Sequence, residues 1–576
     1  MGGREMKNLA VQLFLGRWFM VFSSFIVMSM AGSGYLFGIY SNNIKEVLGY
    51  DQTSLNLISF FKEVGAVGVF SGIIGDLLPP WLVLLIGAMV NFAGYFAIWL
   101  AVTQRICRPK LWHMCIYIFL GGNMESLANA SSLVTAVKNF PGGRGIIVGL
   151  LKGFMGLSGA ILTQLYLAVY GNDSVSLILL IAWLPTAICV LLAPTCRIIK
   201  VVEEQKKDFN IFLYFLYTSL VLVGFLTVII ILERSVSFSR AAYRGSAAVV
   251  LLLLCLPLAI VLKEEINLWK SKRESLDNAD SYHLITTIEE PMEQSAIEST
   301  PPLEAVSPLT TPISRWTQML KAPNRGEDYT ILQALLSFDM LILFVATFCG
   351  IGGALTVIDN MGQIGLSLGY PSSSQDILLS LVSIWSFLGR VAAGFVSEIF
   401  VSKYKMPRPL MLTMILLLSC MGHLLIAFGI PGSLYVSSVI TGFCFGAEWT
   451  LILAIISELF GLKYYSSLLN FVSLASPLGM YVLNVIVVGH LYDNEARKQL
   501  VKSGFRRAHG ESLECSGAQC FKLSFMIVSS LILLGSLLSF ILVLRTRKFY
   551  RRDIYRKFRE EGIRDETEEI REARGG

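Results

Sequence analysis

Residues Phe387-Leu-Gly-Arg-Val-Ala-Ala-Gly-Phe-Val-Ser-Glu398 form the end of a long apolar helix, and a basic hairpin follows them. The hairpin carries Lys403, Lys405 and Arg408. Within the motif, Gly394 lies four residues, about one helical turn, before Glu398. The glycine lets a neighbouring helix approach closely below the acid, which lies within reach of the bases. This pattern predicts a latch at the edge of a membrane.

A degraded copy of the motif, Gly68-Val-Phe-Ser-Gly-Ile-Ile-Gly-Asp76, occurs in the first part of the chain. Gly72 again lies four residues before an acid, Asp76. Two copies of one latch indicate two related halves, which is the plan of many transporters. We expect both latches to lie on the cytosolic side and to form one gate, made of Gly72, Asp76, Gly394, Glu398, Lys403 and Arg408.

The composition places the chain in a membrane. Its mean hydropathy is +0.63, and 54% of its 576 residues are hydrophobic but only 15% are charged. A soluble protein carries about 25% charged residues. A membrane span needs about 20 apolar residues, and windows of that size predict fourteen spans: 18–40, 54–75, 80–103, 111–137, 145–170, 174–197, 210–232, 244–263, 336–358, 375–398, 409–429, 433–458, 464–490 and 521–544.

The basic residues predict the orientation. Lys and Arg concentrate in the loops that lie on one side if the N-terminus is cytosolic, so we expect both termini in the cytosol. Three basic segments, 105–110, 234–244 and 497–507, run against this pattern. The net charge of +6 is therefore a membrane-edge feature and does not indicate nucleic-acid binding. The first apolar run is too long for a cleavable signal peptide and is expected to remain as an anchor.

A repeated spacing of 320 residues indicates a duplicated six-helix unit. It relates Leu48-Gly49-Tyr50 to Leu368-Gly369-Tyr370, and it also pairs Gly122 with Gly442 and Phe140 with Phe460. The helices predicted at 210–263 then lie between the copies. The expected units are a cytosolic N-terminus (1–17), an N-terminal six-helix bundle (18–200), two inserted helices (201–263), a disordered cytosolic linker (264–330), a C-terminal six-helix bundle (331–545) and a charged cytosolic tail (546–576).

Several motifs resemble the plant nodulin-like group of the major facilitator superfamily, which includes the nuclear-fusion-defective-type proteins. They are Val137-Lys-Asn-Phe-Pro-Gly-Gly-Arg-Gly145, Gly149-Leu-Leu-Lys-Gly-Phe-Met-Gly-Leu-Ser-Gly159, Ile358-Asp-Asn-Met-Gly-Gln-Ile-Gly365, Ser457-Glu-Leu-Phe-Gly-Leu-Lys-Tyr-Tyr465 and Cys515-x4-Cys520-Phe521. The resemblance implies an all-α major facilitator fold, with two pseudo-symmetric six-helix bundles and two extra central helices. It also implies similarity to oxalate/formate and monocarboxylate carriers. The first latch departs from the superfamily because Asp76 is followed by Leu-Leu-Pro-Pro without arginines. We therefore expect the bases of the other half to hold it.

Two adjacent charges, Lys62 and Glu63, lie about 20 Å along a helix from Asp76 and so near the middle of the membrane. A charge at this depth is costly and needs a structural or functional reason. Adjacent helical residues point about 100° apart, so we expect no pair between these two. Either one faces a cavity while the other contacts a neighbouring helix, or the charge serves a structural interhelical ion pair.

Lys152 lies in the predicted span 145–170, about 12 Å along the helix from Arg144. At this depth its side chain cannot reach the membrane surface. Asn129 is expected at the same depth, and Glu125 lies one turn beyond it. Lys152 then either lines a substrate cavity with these two residues or forms a structural pair with Glu125.

Arg390 and Glu448 are the candidates in the second half. The guanidinium of Arg390 suits a carboxylate, and the resemblance to monocarboxylate and oxalate carriers implies that it holds a substrate carboxylate. The alternative is a helix-packing or gate residue. A buried carboxylate such as Glu448 can exchange protons, so it is a candidate proton carrier or a hydrogen-bonded structural acid.

Other chemistries have no sequence signal. No His/Cys cluster has metal-ligand spacing, no glycine-rich loop suits a phosphate, and no nucleophile lies beside a base, so we expect no metal, no cofactor and no enzyme activity. Cys515 and Cys520 lie in a polar loop expected outside the cytosol. Their short spacing leaves both a disulfide and free thiols open.

These features predict a secondary transporter of a small organic solute, with an organic anion and proton coupling favoured. The alternatives are a proton-driven exporter of amphipathic organics and a non-transporting receptor or scaffold that uses its linker and tail. We expect a monomer embedded in the lipid bilayer, with the plasma membrane favoured and a vacuolar or other endomembrane as the alternative.

Overall fold

The structure is a computed structural model that describes residues 11–50, 52–171, 173–199, 205–235, 238–285, 323–371, 373–503, 515–552 and 554. Within these ranges the chain forms helices and no strand. The α-helices of the first half and the insertion are α1 (Arg17–Ala31), α2 (Phe37–Leu48), α3 (Gln52–Val67), α4 (Val69–Leu77), α5 (Pro80–Val102), α6 (Leu111–Ala128), α7 (Val134–Asn139), α8 (Arg144–Val169), α9 (Ser174–Leu192), α10 (Gln205–Ser235) and α11 (Arg240–Ile285). Those of the second half are α12 (Ile331–Leu335), α13 (Phe338–Ser367), α14 (Ser373–Tyr404), α15 (Arg408–Phe428), α16 (Ser433–Leu459), α17 (Tyr465–Ser473), α18 (Ala475–Met480), α19 (His490–Ser503) and α20 (Gln519–Tyr550).

Two π-helical segments interrupt this pattern. Asn129–Leu133 joins α6 to α7, and Tyr481–Gly489 joins α18 to α19. An extra residue in a helical turn changes which side chains face a neighbour, and such turns are frequent at functional sites.

The protein is an all-α integral membrane protein. Twelve helical segments of the described chain are long and apolar enough to cross a membrane, and both inserted helices, α10 and α11, are among them. The two remaining predicted windows, 18–40 and 111–137, coincide with α1–α2 and with α6–α7. Neither window is among the twelve, because α1 has only 15 residues and the second window carries several polar side chains. The predicted number of fourteen spans is therefore not confirmed.

The two halves meet along α8 and α14, where backbones approach closely. A Cβ added to Gly149 would lie 2.6 Å from the carbonyl oxygen of Arg390, and one added to Gly394 would lie 2.6 Å from that of Gly145. Small residues at such crossings let helices pack backbone to backbone. The glycines thus set the distance between the halves.

The inserted helices pack mainly on the first half, against α1 and α8. Arg17 at the start of α1 forms a buried ion pair of 2.7 Å with Asp208 of α10. The amide of Trp18 donates to a carboxylate oxygen of Glu265 in α11 at 3.3 Å. These charged contacts fasten the insertion to the first helix of the first half.

The predicted linker, 264–330, is wrong at both ends. Helix α11 continues to Ile285, because the segment after residue 263 extends an already formed helix. At the other end, the amides of Gly326 and Tyr329 donate to the carbonyls of Leu459 and Phe460 at 3.0 and 3.1 Å. Residues 286–322 lie outside the described residues, as does the charged tail beyond Ile554 and the first ten residues of the chain.

A disulfide joins Cys515 to Cys520 just before α20. The amide of Gly517 in this loop donates to the carbonyl of Ser367, the last residue of α13, at 2.8 Å. The first turn of α13 lies at the opposite end, where Asp339 pairs with Arg545 at 2.6 Å. We call these two ends of the molecule the disulfide end and the Arg408 end.

Candidate functional site

A cavity of about 130 Å³ lies between the two halves. Six of the seven residues predicted to bind substrate or protons line it: Lys62, Glu63, Glu125, Asn129, Lys152 and Arg390. Their positions along the helices were the basis of the prediction, and the structure brings them to one site. Sequence reasoning missed two aromatic residues of α16, Phe445 and Trp449, and the polar residues of α17 and α18 that complete the wall: Asn470, Ser473 and Ser476.

Arg390 of α14 is 3% exposed and reaches across to the first half. Its Nη1 donates to the carbonyl oxygen of Lys152 at 2.7 Å, and its guanidinium lies 5.9 Å from the ring centre of Phe445. Its Nε–H has no hydrogen-bond partner within the described part of the chain. A Cβ on Gly156 would collide with the guanidinium, so this glycine of α8 makes room for it.

Lys152 of α8 is 7% exposed, and its ammonium lies 5.4 Å from the ring centre of Trp449. Its Nζ also lies 3.7 Å from the sulfur of Met155. Lys152 forms no ion pair with Glu125 or with another carboxylate of the described residues, so the alternative of a structural pair with Glu125 is not found there. An aromatic ring attracts the cation without neutralising its charge.

Asn129 begins the π-helical segment after α6, and the residue is 5% exposed. Its Oδ1 accepts no hydrogen bond from any described residue. Glu125 lies four residues earlier and is partly exposed to the same cavity. The cavity therefore has a carboxylate acceptor from Glu125 of α6 and cationic donors from Lys152 of α8 and Arg390 of α14.

The prediction that Lys62 and Glu63 do not pair is wrong. Their side chains form an ion pair of 2.9 Å. Lys62 also donates to the carbonyl of Gly34 at 3.3 Å and lies 5.2 Å from the ring centre of Phe37. Although adjacent Cα–Cβ bonds point apart, the lysine side chain has enough rotatable bonds to bend back to its neighbour.

Glu448 does not line this cavity. It is fully buried in the second half, where a Cβ on Gly350 of α13 would meet its carboxylate. Neither of its oxygens has a hydrogen-bond partner among the residues that the structure describes. Glu448, a candidate proton carrier, thus faces the interior of its own bundle and does not share the cavity with Arg390 and Lys152.

The Arg408 end holds the latch of the second half. The buried Arg408 pairs with Glu398 at 2.5 Å and with Glu458 at 2.7 Å, and it also contacts the hydroxyl of Ser397. The amide of Gly145, in the first half, donates to Glu398 at 3.3 Å. Glu458 was not predicted in the latch, although the motif that begins at Ser457 contains it.

A second bond between the halves crosses beside this latch. Nη1 of Arg144, in the first turn of α8, donates to the carbonyl of Ser457 at 2.6 Å. The phenol of Tyr550, at the end of α20, donates to Glu458 at 2.7 Å. The latch thus connects both halves and the last helix.

Asp76, the acid of the first-half latch, has a different type of partner from the one predicted. Its carboxylate accepts the backbone N–H groups of Ser466 and Ser467 at 3.2 and 2.8 Å, at the start of α17. A helix N-terminus carries unpaired N–H groups and a partial positive charge, so it replaces a basic side chain. Gly72 permits this approach, because a Cβ there would lie 2.8 Å from the Cα of Ser467.

Lys403 does not contribute to the latch. It is exposed, and its ammonium lies 5.5 Å from the ring centre of its neighbour Tyr404. The hairpin turns after residue 404, so that Arg408 enters the bundle and Lys403 remains on its surface. Of the predicted bases, only Arg408 pairs with Glu398 in the described structure.

Matches to known protein families and to a known relative cover most of the chain. Residues 17–262 match the family described as Nodulin-like, and residues 327–552 match that described as the C-terminal domain of NFD4. The protein NUCLEAR FUSION DEFECTIVE 4 of Arabidopsis thaliana is 24% identical over 548 residues, which cover 93% of this chain and 90% of that protein. The probable transporter MCH1 of Yarrowia lipolytica is 26% identical over 216 residues, 36% of this chain and 42% of that protein.

Among solved structures, the proton:xylose symporter XylE of the major facilitator superfamily matches with a TM-score of 0.53. The match covers 91% of this chain and 96% of that chain at 14% sequence identity, so it shows the fold alone.

Proposed function

Since this chain belongs to the nodulin-like, NFD4-type group of the major facilitator superfamily, we propose that it is a secondary transporter of a small organic anion. A carboxylate is the favoured substrate, and protons are the favoured coupling ion. The observation that carries the proposal is the pair Lys152 and Arg390. Both cations line the cavity between the halves, and neither forms an ion pair with a described carboxylate.

The charges of the cavity favour an anion. Its wall holds three cations, Lys62, Lys152 and Arg390, and two carboxylates, Glu63 and Glu125, so the formal charge of these ionised groups is 3 − 2 = +1. Lys62 and Glu63 neutralise each other at 2.9 Å. A buried excess charge is costly without a partner. A bound carboxylate supplies that partner, and the planar guanidinium of Arg390 suits its two oxygens.

Alternating access explains the two latches. The structure is closed at the Arg408 end, where Glu398 binds the amide of Gly145 and Asp76 binds the start of α17. Rocking of one half against the other would break these contacts and open the cavity to that end. The distribution of basic loops supports a cytosolic location of the Arg408 end, and the disulfide supports an oxidising environment at the other.

Glu125 is the favoured proton carrier. It lines the cavity together with Lys152, so protonation of Glu125 would change the charge that a substrate meets. Glu448 has no such position, because it lies outside the cavity wall. Binding of a proton at Glu125 and of an anion at Lys152 and Arg390 would then be coupled through their charges.

The test is uptake of labelled small monocarboxylates into proteoliposomes that contain the purified chain. Arg390→Ala removes the carboxylate partner and is expected to weaken apparent affinity about 30-fold or more. Lys403→Ala is the matched control, because it removes a positive charge from the same helix but outside the cavity; uptake should persist. Undiminished uptake by Arg390→Ala would exclude its binding role. Competition by bulky hydrophobic cations, with no competition by carboxylates, would support an exporter of amphipathic organics instead.

A further inference from the structure

Asp359 of α13 lies opposite Lys62 of α3, near the disulfide end. It is about 12 Å along its helix from Ser367, the last residue of α13. Lys62 is about 15 Å from the first residue of α3, so the two residues lie at a similar depth. Leu355, one turn before Asp359, lines the cavity together with Lys62. Asp359 therefore lies at the rim of the cavity, on its disulfide side.

A neighbouring amide holds the carboxylate of Asp359 in place. Nδ2 of Asn484, in the second π-helical segment, donates to Oδ2 of Asp359 at 3.1 Å. Oδ1 of Asn484 in turn accepts a hydrogen bond from Asn360 at 2.7 Å. Asp359 is exposed, and no base of the described chain forms an ion pair with it. Because a charge that faces lipid is costly, this exposure indicates a water-filled cleft between the halves.

The ammonium of Lys62 can serve a second carboxylate. It has three N–H donors, of which one reaches Glu63 at 2.9 Å and one reaches the carbonyl of Gly34 at 3.3 Å. No described acceptor takes the third. Lys62 and Glu63 both lie close enough to Asp359 to interact with its charge across the boundary between the halves. The cluster thus holds one cation and two carboxylates, and only one of these carboxylates has an ion-pair partner.

The halves already touch beside this cluster. The ring centres of Phe60, in α3, and Tyr481, in the second π-helical segment, lie 6.5 Å apart, and both residues are exposed. Tyr481 lies three residues before Asn484, the residue that holds Asp359. A closer approach of α3 to this segment therefore carries Lys62 towards Asp359.

We infer that Lys62 and Asp359 form the gate at the disulfide end. When the halves close there, water leaves the cleft and Asp359 loses its hydration. A desolvated carboxylate without a partner is unfavourable, and the third N–H of Lys62 supplies the partner. Lys62 then bridges Glu63 of its own half and Asp359 of the other half. This inference rests on alternating access in the proposed function, and it adds the contact that closes the side away from Arg408.

The test is the distance between spin labels on opposite halves at the disulfide end, measured in lipid bilayers. Val169 at the end of α8 and Leu366 near the end of α13 are 64% and 57% exposed, so each can carry a label once the exposed Cys107 and Cys255 are replaced by serine. The otherwise intact chain should show short distances, from molecules closed at this end, and long distances.

Variants of the two charged residues should reduce the short-distance population. Lys62→Gln and Asp359→Asn should each decrease the ratio of short to long distances about 5-fold or more, because each removes one partner of the contact that closes this end. Asp493→Asn is the matched control, because Asp493 is an exposed aspartate of α19 at the same end and no described base pairs with it. It should keep the original ratio.

Exchange of the charges separates pairing from general damage to the helices. Lys62→Glu alone places three carboxylates together and should remove the short distances. The double variant Lys62→Glu/Asp359→Lys restores opposite charges across the cleft and should recover much of the short-distance population. If the double variant resembles Lys62→Glu alone, or if Asp359→Asn leaves the ratio unchanged, Lys62 and Asp359 do not form the gate.

The same measurement distinguishes failure of this inference from failure of the proposed function. If no variant and no intact chain shows short distances, the disulfide end does not close, and alternating access itself is wrong. If short distances occur but are insensitive to Lys62→Gln and Asp359→Asn, the halves alternate and another contact closes this end.

Discussion

Replacing Gly149 with alanine should open the Arg408 end of the protein. Gly149 lies where α8 crosses α14, and an added Cβ would be 2.6 Å from the carbonyl oxygen of Arg390 and 3.2 Å from the Cα of Gly394. The first separation is shorter than packed Cβ atoms adopt. Both neighbours are backbone atoms, so the clash cannot be relieved by rotation of a side chain. The two helices must move apart.

The size of the effect follows from where the clash occurs. Overpacking a close contact costs about 1–3 kcal/mol. Because the added methyl clashes in the state that is closed at the Arg408 end, and opening separates the two helices, this cost falls on the closed state. The ratio of closed to open molecules should therefore decrease by about 5- to 150-fold.

Distances between spin labels measure this ratio directly. Ile198 in the first half and Tyr404 in the second are 52% and 57% exposed near the Arg408 end, so each can carry a label. The exposed Cys107 and Cys255 would first be replaced by serine. Gly149→Ala should increase the fraction of long distances. Gly224→Ala is the matched control, because Gly224 lies in the spanning helix α10 with nothing within 4 Å of its added Cβ.

One result would refute this reasoning. If Gly149→Ala shows the same distance distribution as the original chain and transports at the same rate, then α8 and α14 are not held together by this backbone contact. A similar shift in Gly224→Ala would show that the loss of any membrane glycine, rather than this crossing, causes the change.

Two further predictions concern the acidic residues. Asp76→Ala should destabilise the protein by about 1.5–3 kcal/mol, because it removes the hydrogen bonds that the amides of Ser466 and Ser467 donate to a charged group. Asp76→Asn keeps an oxygen for the amide of Ser467 and should cost less. Thermal unfolding in detergent compares them, and equal losses would contradict the capping role. Glu125→Gln should abolish the stimulation of uptake by an imposed pH gradient. Glu448→Gln should retain this stimulation, because Glu448 lies outside the cavity wall. The opposite result would make Glu448 the proton carrier.

Much of the cavity could be predicted because depth in the membrane follows from counting residues. Lys152, Asn129 and Arg390 each lie two or more turns from a helix end that a loop or latch motif marks, and a rise of 1.5 Å per residue places them at a common level. A charge at that level must face other helices or a cavity. Counting residues gives the depth of a side chain in the membrane, but it does not give the direction in which that side chain points.

The direction of Glu448 could not be predicted, because its helix has no single buried face. Every residue from Thr450 to Leu459 is buried, as are those from Cys444 to Glu448. Such a helix shows no apolar stripe from which to choose the side that faces the cavity. In the first half the obstacle is different, since the π-helical turn that begins at Asn129 alters the facing of the residues that follow it.

The partner of Asp76 could not be predicted for a different reason. It consists of backbone N–H groups, which every non-proline residue possesses, so no residue type marks it. The bonded amides belong to Ser466 and Ser467, about 390 residues away along the chain. Only the fold shows that α17 begins there.

The two latches share a geometry but differ in the chemistry of their contacts, and this difference affects how the gate opens. Glu398 and Glu458 share the buried Arg408, and both belong to the same half as that arginine, so the strong ion pairs stay within one body. Within the described residues, hydrogen bonds cross between the halves at this end, among them those from the amide of Gly145 to Glu398, from Arg144 to the carbonyl of Ser457, and from the amides at the start of α17 to Asp76. A typical hydrogen bond contributes about 0.5–1.5 kcal/mol net, and one to a charged group about 1.5–3 kcal/mol. Breaking a buried ion pair costs about 3–5 kcal/mol. Separating the halves therefore breaks these hydrogen bonds and leaves the ion pairs of Arg408 with Glu398 and Glu458 intact within the second half.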